Sequence, residues 1–138
     1  MDLQQGSKKI ILVDPDNLFA EALVTEAAFK GVNVDHYKNM TEIGYLGRFK
    51  EYDVAILNER LDIMTGLEIA EYFDKLLGNM PMILLHKSPE TISRAEWPKS
   101  VFSFISKNEG ANKVLQAALR ATSQVDSEIR LMEEHQEL

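Results

Sequence analysis

Apolar residues in this chain come in five short runs, separated by longer stretches where they recur at helical spacing. Lys9-Ile10-Ile11-Leu12-Val13 is the first run and stops at Asp14-Pro15-Asp16. Asp16 then caps a predicted helix carrying Phe19, Leu23, Ala27 and Lys30, and Gly31 ends it. Val32 to Tyr37 alternates weakly and predicts a second strand, followed by a short polar helix over Thr41 to Phe49. Asp53 to Asn58 is the third run. Gly66 opens the next helix, with Leu67, Ala70, Phe73 and Leu77 at helical spacing. Pro81 to Leu85 and Val101 to Ile105 predict the fourth and fifth strands. Between them Ser88-Pro89 is a helix start, a capping Ser ahead of a Pro in the first turn, and Pro98 keeps that helix short. From Ala111 the chain reads as one helix to near its end.

Strands alternating with helices predict a doubly wound α/β domain with a parallel sheet. Continuously apolar strands fit a sheet covered on both faces. Function in such sheets sits at the carboxyl ends of the central strands. The residues to weigh there are Asp14-Pro15-Asp16, Asn58-Glu59-Arg60, His86-Lys87-Ser88 and Ser106-Lys107-Asn108.

Composition narrows the class. The chain has 138 residues, 45% apolar and 27% charged, which suits one globular domain and not a disordered segment. Zero cysteines exclude disulfides, thiolate metal sites and cysteine nucleophiles. With 22 acidic against 15 basic side chains the net charge is -7, which argues against nucleic acid as a partner. The polar Met1 to Ser7 and the lack of any apolar run near ~18 residues predict neither signal peptide nor membrane span. A cytoplasmic protein is expected. No phosphate-binding glycine loop, spaced His pair or serine elbow occurs, so the expectation is a non-enzyme without a cofactor.

The residues at the strand ends carry a family likeness. Over roughly Lys8 to Ser123 the chain resembles the receiver domain of two-component response regulators. Such domains end the first strand in an acidic pair that holds magnesium. Their third strand carries an Asp, then the Asp that accepts the phosphoryl group, with a Gly farther on. Here Asp53 is followed five positions on by Asn58, and Gly66 lies eight beyond that. The family's aromatic residue and essential Lys on the fifth strand match Phe104 and Lys107. The resemblance implies a flavodoxin-like (βα)5 sandwich with strand order 2-1-3-4-5.

Three positions depart from the pattern. Asn58 puts a neutral amide, a very poor nucleophile, at the phosphoacceptor position. Pro15 replaces the second metal-holding acid, leaving Asp14 in register and Asp16 one residue displaced, a poor set for magnesium. His86 stands where the family has a Ser or Thr. No metal is therefore expected. Lys107 would either reach toward an anion or neutralise Asp14. His86 reads as a hydrogen-bonded filler, with a pH-sensitive group or metal ligand as the sharper alternative. Glu59 should point to the other side of the strand from Asn58. Asp62 belongs to a loop, and Trp97 is expected to pack.

The last helix outruns the domain. Leu115, Ala118, Thr122, Val125, Ile129 and Met132 form a heptad-like stripe, widened at first by Leu119. The division expected is a receiver-like domain over 8–123 and a helical extension over 124–138, which has a local charge of -4. Val125, Ile129 and Met132 make that extension a candidate dimerising coiled coil or docking helix, against a frayed tail or part of a linker. The functional expectation is a pseudo-receiver, a phosphorylation-independent signalling module that binds a protein partner or a second copy. The surface expected to do so is the fourth and fifth helices, the last strand and the C-terminal helix. The alternative is a sensory domain whose degenerate pocket, lined by Asp14, His86 and Lys107, takes a small ligand or anion.

Overall fold

A computed structural model of the chain describes residues 8–62, 64–76, 78, 80–86 and 97–136, with the side chains of the last helix as far as 123. The helix predicted from Ser88 lies outside these residues. Strand β1 (Lys9–Val13) leads into α1 (Asn17–Phe29), and β2 (Asn33–Tyr37) into a single turn α2 (Met40–Ile43). Strand β3 (Val54–Asn58) is followed by a small pair, β4 (Arg60–Leu61) and β5 (Met64–Thr65), and then by α3 (Gly66–Leu76). Strands β6 (Met82–His86) and β7 (Val101–Ser106) precede α4 (Ala111–Gln136). The main sheet runs β2-β1-β3-β6-β7, all parallel. Counting its five strands alone, that is the order 2-1-3-4-5 of a flavodoxin-like sandwich.

Alternation along the buried strands sorts the core into two layers. Ile10, Leu12, Val54, Ile56, Ile83 and Leu85 face Ala20, Leu23 and Ala27 of α1 and Val114, Ala117, Ala118 and Ala121 of α4. Ile11, Val13, Ala55, Leu57, Met82 and Leu84 face Ile69, Ala70 and Phe73 of α3 together with Ile43 and Phe49. Phe49 and Phe73 meet edge to face, with ring centroids 4.6 Å apart. Both faces of the sheet are covered, so β1, β3 and β6 show no polar alternation.

Local chemistry explains the element ends. Asp16 caps α1, its Oδ1 accepting from the Phe19 N–H at 3.1 Å, and Gly31 leaves the helix at φ 69°. Thr65 and Glu68 form a reciprocal capping box at the start of α3 (3.1 and 3.0 Å).

Three details differ from the sequence reading. The helix expected over Thr41 to Phe49 is broken at Gly44, at φ 90°, and resumes as a 3-10 helix over Leu46–Glu51. Strand β7 carries a register shift opposite Met82 and Ile83, so Phe102 is inserted between the paired Val101 and Ser103. On α3 the buried stripe is Gly66, Ile69, Ala70 and Phe73, while Leu67 is half-buried.

Helix α4 has 26 residues and is therefore about 39 Å long at 1.5 Å per residue. Leu115, Ala118 and Thr122 of the predicted stripe are buried, flanked by Val114, Ala117 and Ala121. Val125, Ile129 and Met132 lie on its helical backbone, their side chains outside the described residues. No helix among the described residues is long and apolar enough to cross a membrane.

Candidate functional site

The parallel strands bring their carboxyl ends to one rim, where an open cleft of about 840 Å³ is lined by Asp14, Pro15, Asp16, Leu18, Asn58, Glu59, Arg60 and Lys107. Asp14 follows β1 and is wholly buried. Its backbone is held on both sides: its N–H donates to the Tyr37 carbonyl (2.9 Å), and its own carbonyl accepts from His36 Nε2 (2.7 Å). The second contact places the His36 ring proton on Nε2. Oδ1 of Asp14 accepts from the Asp16 N–H at 2.9 Å, an Asx turn that carries the chain past Pro15 into the α1 cap.

Lys107 enters from the end of β7, in a short 3-10 turn (Lys107–Glu109) whose cap is the Ser106 hydroxyl. Its ammonium lies 2.6 Å from Asp14 Oδ2 and 3.6 Å from Asp16 Oδ2, and its side chain is 6% exposed. It also sits 5.3 Å from the centre of the Phe19 ring. Asp14 Oδ2 makes no further hydrogen bond within the described residues. A buried carboxylate and a buried ammonium would each be costly alone, and here each is the other's counter-charge.

Asn58 ends β3. Its Nδ2 donates to the Arg60 carbonyl at 3.0 Å, tying the amide to the small β4–β5 hairpin. Nearby, the Gly66 N–H donates to the Glu59 carbonyl (3.1 Å), which brings α3 against the end of β3. Glu59, whose side chain was expected on the opposite side from Asn58, is among the residues that line the cleft. In the hairpin Asp62 adopts φ 54°, a left-handed conformation that Asp tolerates better than most residues.

His86 ends β6 but is not among the residues lining the cleft. Its ring packs 5.1 Å from that of Phe104, and Trp97 is 6.1 Å from Phe104 on the other contact. The three form an aromatic group at the β6–β7 edge. Of the expected pocket of Asp14, His86 and Lys107, Asp14 and Lys107 meet, and the His86 ring packs on Phe104. Leu18 and His36 were not singled out from the sequence. The periodicity of side chains does not report that a backbone carbonyl or an imidazole will meet the loop of another strand.

The donor set does not fit the magnesium ion that the resemblance implies. Asp14 is committed to Lys107, Asp16 caps α1, Pro15 has no side-chain oxygen, and Asn58 is an amide anchored through its nitrogen. Magnesium calls for several hard oxygen ligands in near-octahedral array. Among the described residues no three His, Asp or Glu side chains converge in a way that could hold a metal.

One shifted group lies away from the cleft. Tyr52, just ahead of β3, donates to Asp35 Oδ2 at 2.5 Å, and partial burial together with this carboxylate pushes the phenol well above its usual range.

Solved structures share this architecture. The signal receiver domain of an HD domain-containing protein from Pseudomonas fluorescens Pf-5 is 21% identical, with a TM-score of 0.75 over 89% of this chain and 92% of that one. A Francisella response regulator receiver domain is 19% identical, with a TM-score of 0.73 over 85% and 98%. The signal receiver domain of a putative Luxo repressor protein from Vibrio parahaemolyticus is 12% identical, with a TM-score of 0.76 over 91% and 97%. At these identities the likeness establishes the receiver fold. No protein-family model matches the sequence, and no curated protein matches it.

Proposed function

We propose that this domain is a pseudo-receiver: it uses the receiver fold as a protein-interaction module in signalling and carries no phosphorylation cycle. The observation that carries this reading is Asn58. It occupies the carboxyl end of the central strand β3, facing the cleft that holds Asp14 and Lys107. A carboxylate there would attack a phosphoryl donor and keep the group as an acyl phosphate. An amide nitrogen or oxygen forms no comparable product. The lack of a fitting magnesium donor set supports the same conclusion.

A module without a switchable phosphate acts through its surface. The partner is a protein, or a second copy of this chain, met through the fourth helix predicted from the sequence, the last strand, and α4 with its extension. Support for the latter is that α4 continues as helix through Gln136, well past Thr122, the last of its buried side chains among the described residues. The alternative of a ligand-sensing pocket has less support, because Lys107 is engaged with Asp14 and the His86 ring packs on Phe104. Incubation with acetyl phosphate and magnesium followed by intact-mass measurement tests the reading. Unchanged mass supports it, and an adduct of about 80 Da contradicts it.

A further inference from the structure

We infer that Lys107 is a tethered counter-cation, fixed by the chain between the carboxylates of Asp14 and Asp16 in the place of a free ion. The fold gathers negative charge at this rim whatever the chain does with it. Asp14 is drawn in because β1 ends there with both of its backbone groups bonded to β2, and its carboxylate is 0% exposed. Asp16 is fixed alongside by capping α1. Two carboxylates so placed repel each other and need a positive charge between them. The Lys107 ammonium is that charge, 2.6 Å from one and 3.6 Å from the other.

The tether changes what solution conditions can do. A free ion is lost when its concentration falls, so a domain that depends on one is stable only when it is supplied. An ammonium on β7 cannot dissociate. It is shielded further by the Phe19 ring at 5.3 Å and by burial of its own side chain. It also ties the end of β7 to the end of β1, which are not neighbours in the sheet. The conformation of this rim is therefore held by the chain itself, with no cation required and none admitted. This inference concerns the ion and does not depend on whether any residue accepts a phosphoryl group.

Thermal melting of the full chain in EDTA and in roughly 10 mM magnesium tests it, because an ion that binds the folded state raises the melting temperature by several degrees. The expected result is the same melting temperature in both. Lys107→Met should melt lower than the wild type, and magnesium should restore part of the loss by entering between Asp14 and Asp16. Lys107→Arg, which keeps the charge, should remain insensitive to the ion. A wild-type melting temperature that rises with magnesium would overturn the inference, as would a Lys107→Met variant as stable as the wild type. Should Lys107→Met fail to fold in EDTA, the double variant Asp14→Asn with Lys107→Met decides. Removing both charges should restore folding, and continued failure would count against the counter-cation role.

Discussion

The α-carbon of Gly66 lies so close to the carbonyl oxygen of Asn58 that a methyl group on it would sit 2.6 Å from that oxygen. The same methyl would meet Leu84 Cδ2 at 3.3 Å. Helix α3 can approach the end of β3 this closely only with glycine at that position, which gives the spacing from Asn58 to Gly66 a physical reason. Gly66→Ala should therefore destabilise the domain by roughly 1–3 kcal/mol, read as a lowered denaturation midpoint. An unaltered midpoint would mean that the helix shifts freely and that the contact does not position the site.

The Asp14–Lys107 pair predicts a non-additive mutant cycle. Asp14→Asn leaves a buried ammonium with only the more distant Asp16 carboxylate, at 3.6 Å, and should cost about 3 kcal/mol. Removing both charges, with Asp14→Asn and Lys107→Met together, should cost clearly less than the two single changes added. Simple additivity in denaturant melts would show that the two groups do not act on each other.

At the start of α3, Thr65→Ala should cost about 1 kcal/mol, because it removes the acceptor for the Glu68 N–H. Thr65→Ser should retain most of the stability. Equal losses in the two variants would indicate that the hydroxyl bond is not the source.

Tyr52 predicts a dependence on alkaline pH. Its phenol is raised by burial and by the hydrogen bond to Asp35, so the folded state favours the protonated form. Below the ordinary phenol pKa of about 10 both states are protonated and the full stability is present. Above it the unfolded chain ionises first, and stability falls as pH rises. Between about pH 9 and 11 the wild type should lose stability more steeply than Tyr52→Phe. Parallel slopes in urea melts across that range would contradict this assignment.

Much of the site was legible because its residues end strands whose apolar character is unbroken. Ile10 to Val13 and Val54 to Leu57 are fully buried, so their ends are sharply marked, and Asp14 and Asn58 follow directly. The pairing of Lys107 with Asp14 was one of two readings open from their opposite charges at the same rim of the sheet, and the structure shows it. The unbroken helix over Thr41 to Phe49 was not correct, since one left-handed glycine, Gly44, redirects the backbone without disturbing the apolar spacing. The β4–β5 hairpin was missed for a related reason. Two-residue strands leave no periodicity, and their bonding depends on where the loop meets β3 and β6. His86 was placed at the end of its strand from the sequence, while the packing of its ring on Phe104 rests on side-chain orientation that periodicity does not report.

The central claim is that the domain has the receiver fold without its phosphoryl chemistry. Intact mass after treatment with acetyl phosphate and magnesium tests this most directly, on the wild type beside a variant carrying Pro15→Asp and Asn58→Asp. The account predicts an unmodified wild type and a variant that gains about 80 Da, because the second acid and the nucleophile have been returned to a standing scaffold. A wild-type chain that acquires the same adduct, on any carboxylate of the cleft, would contradict it.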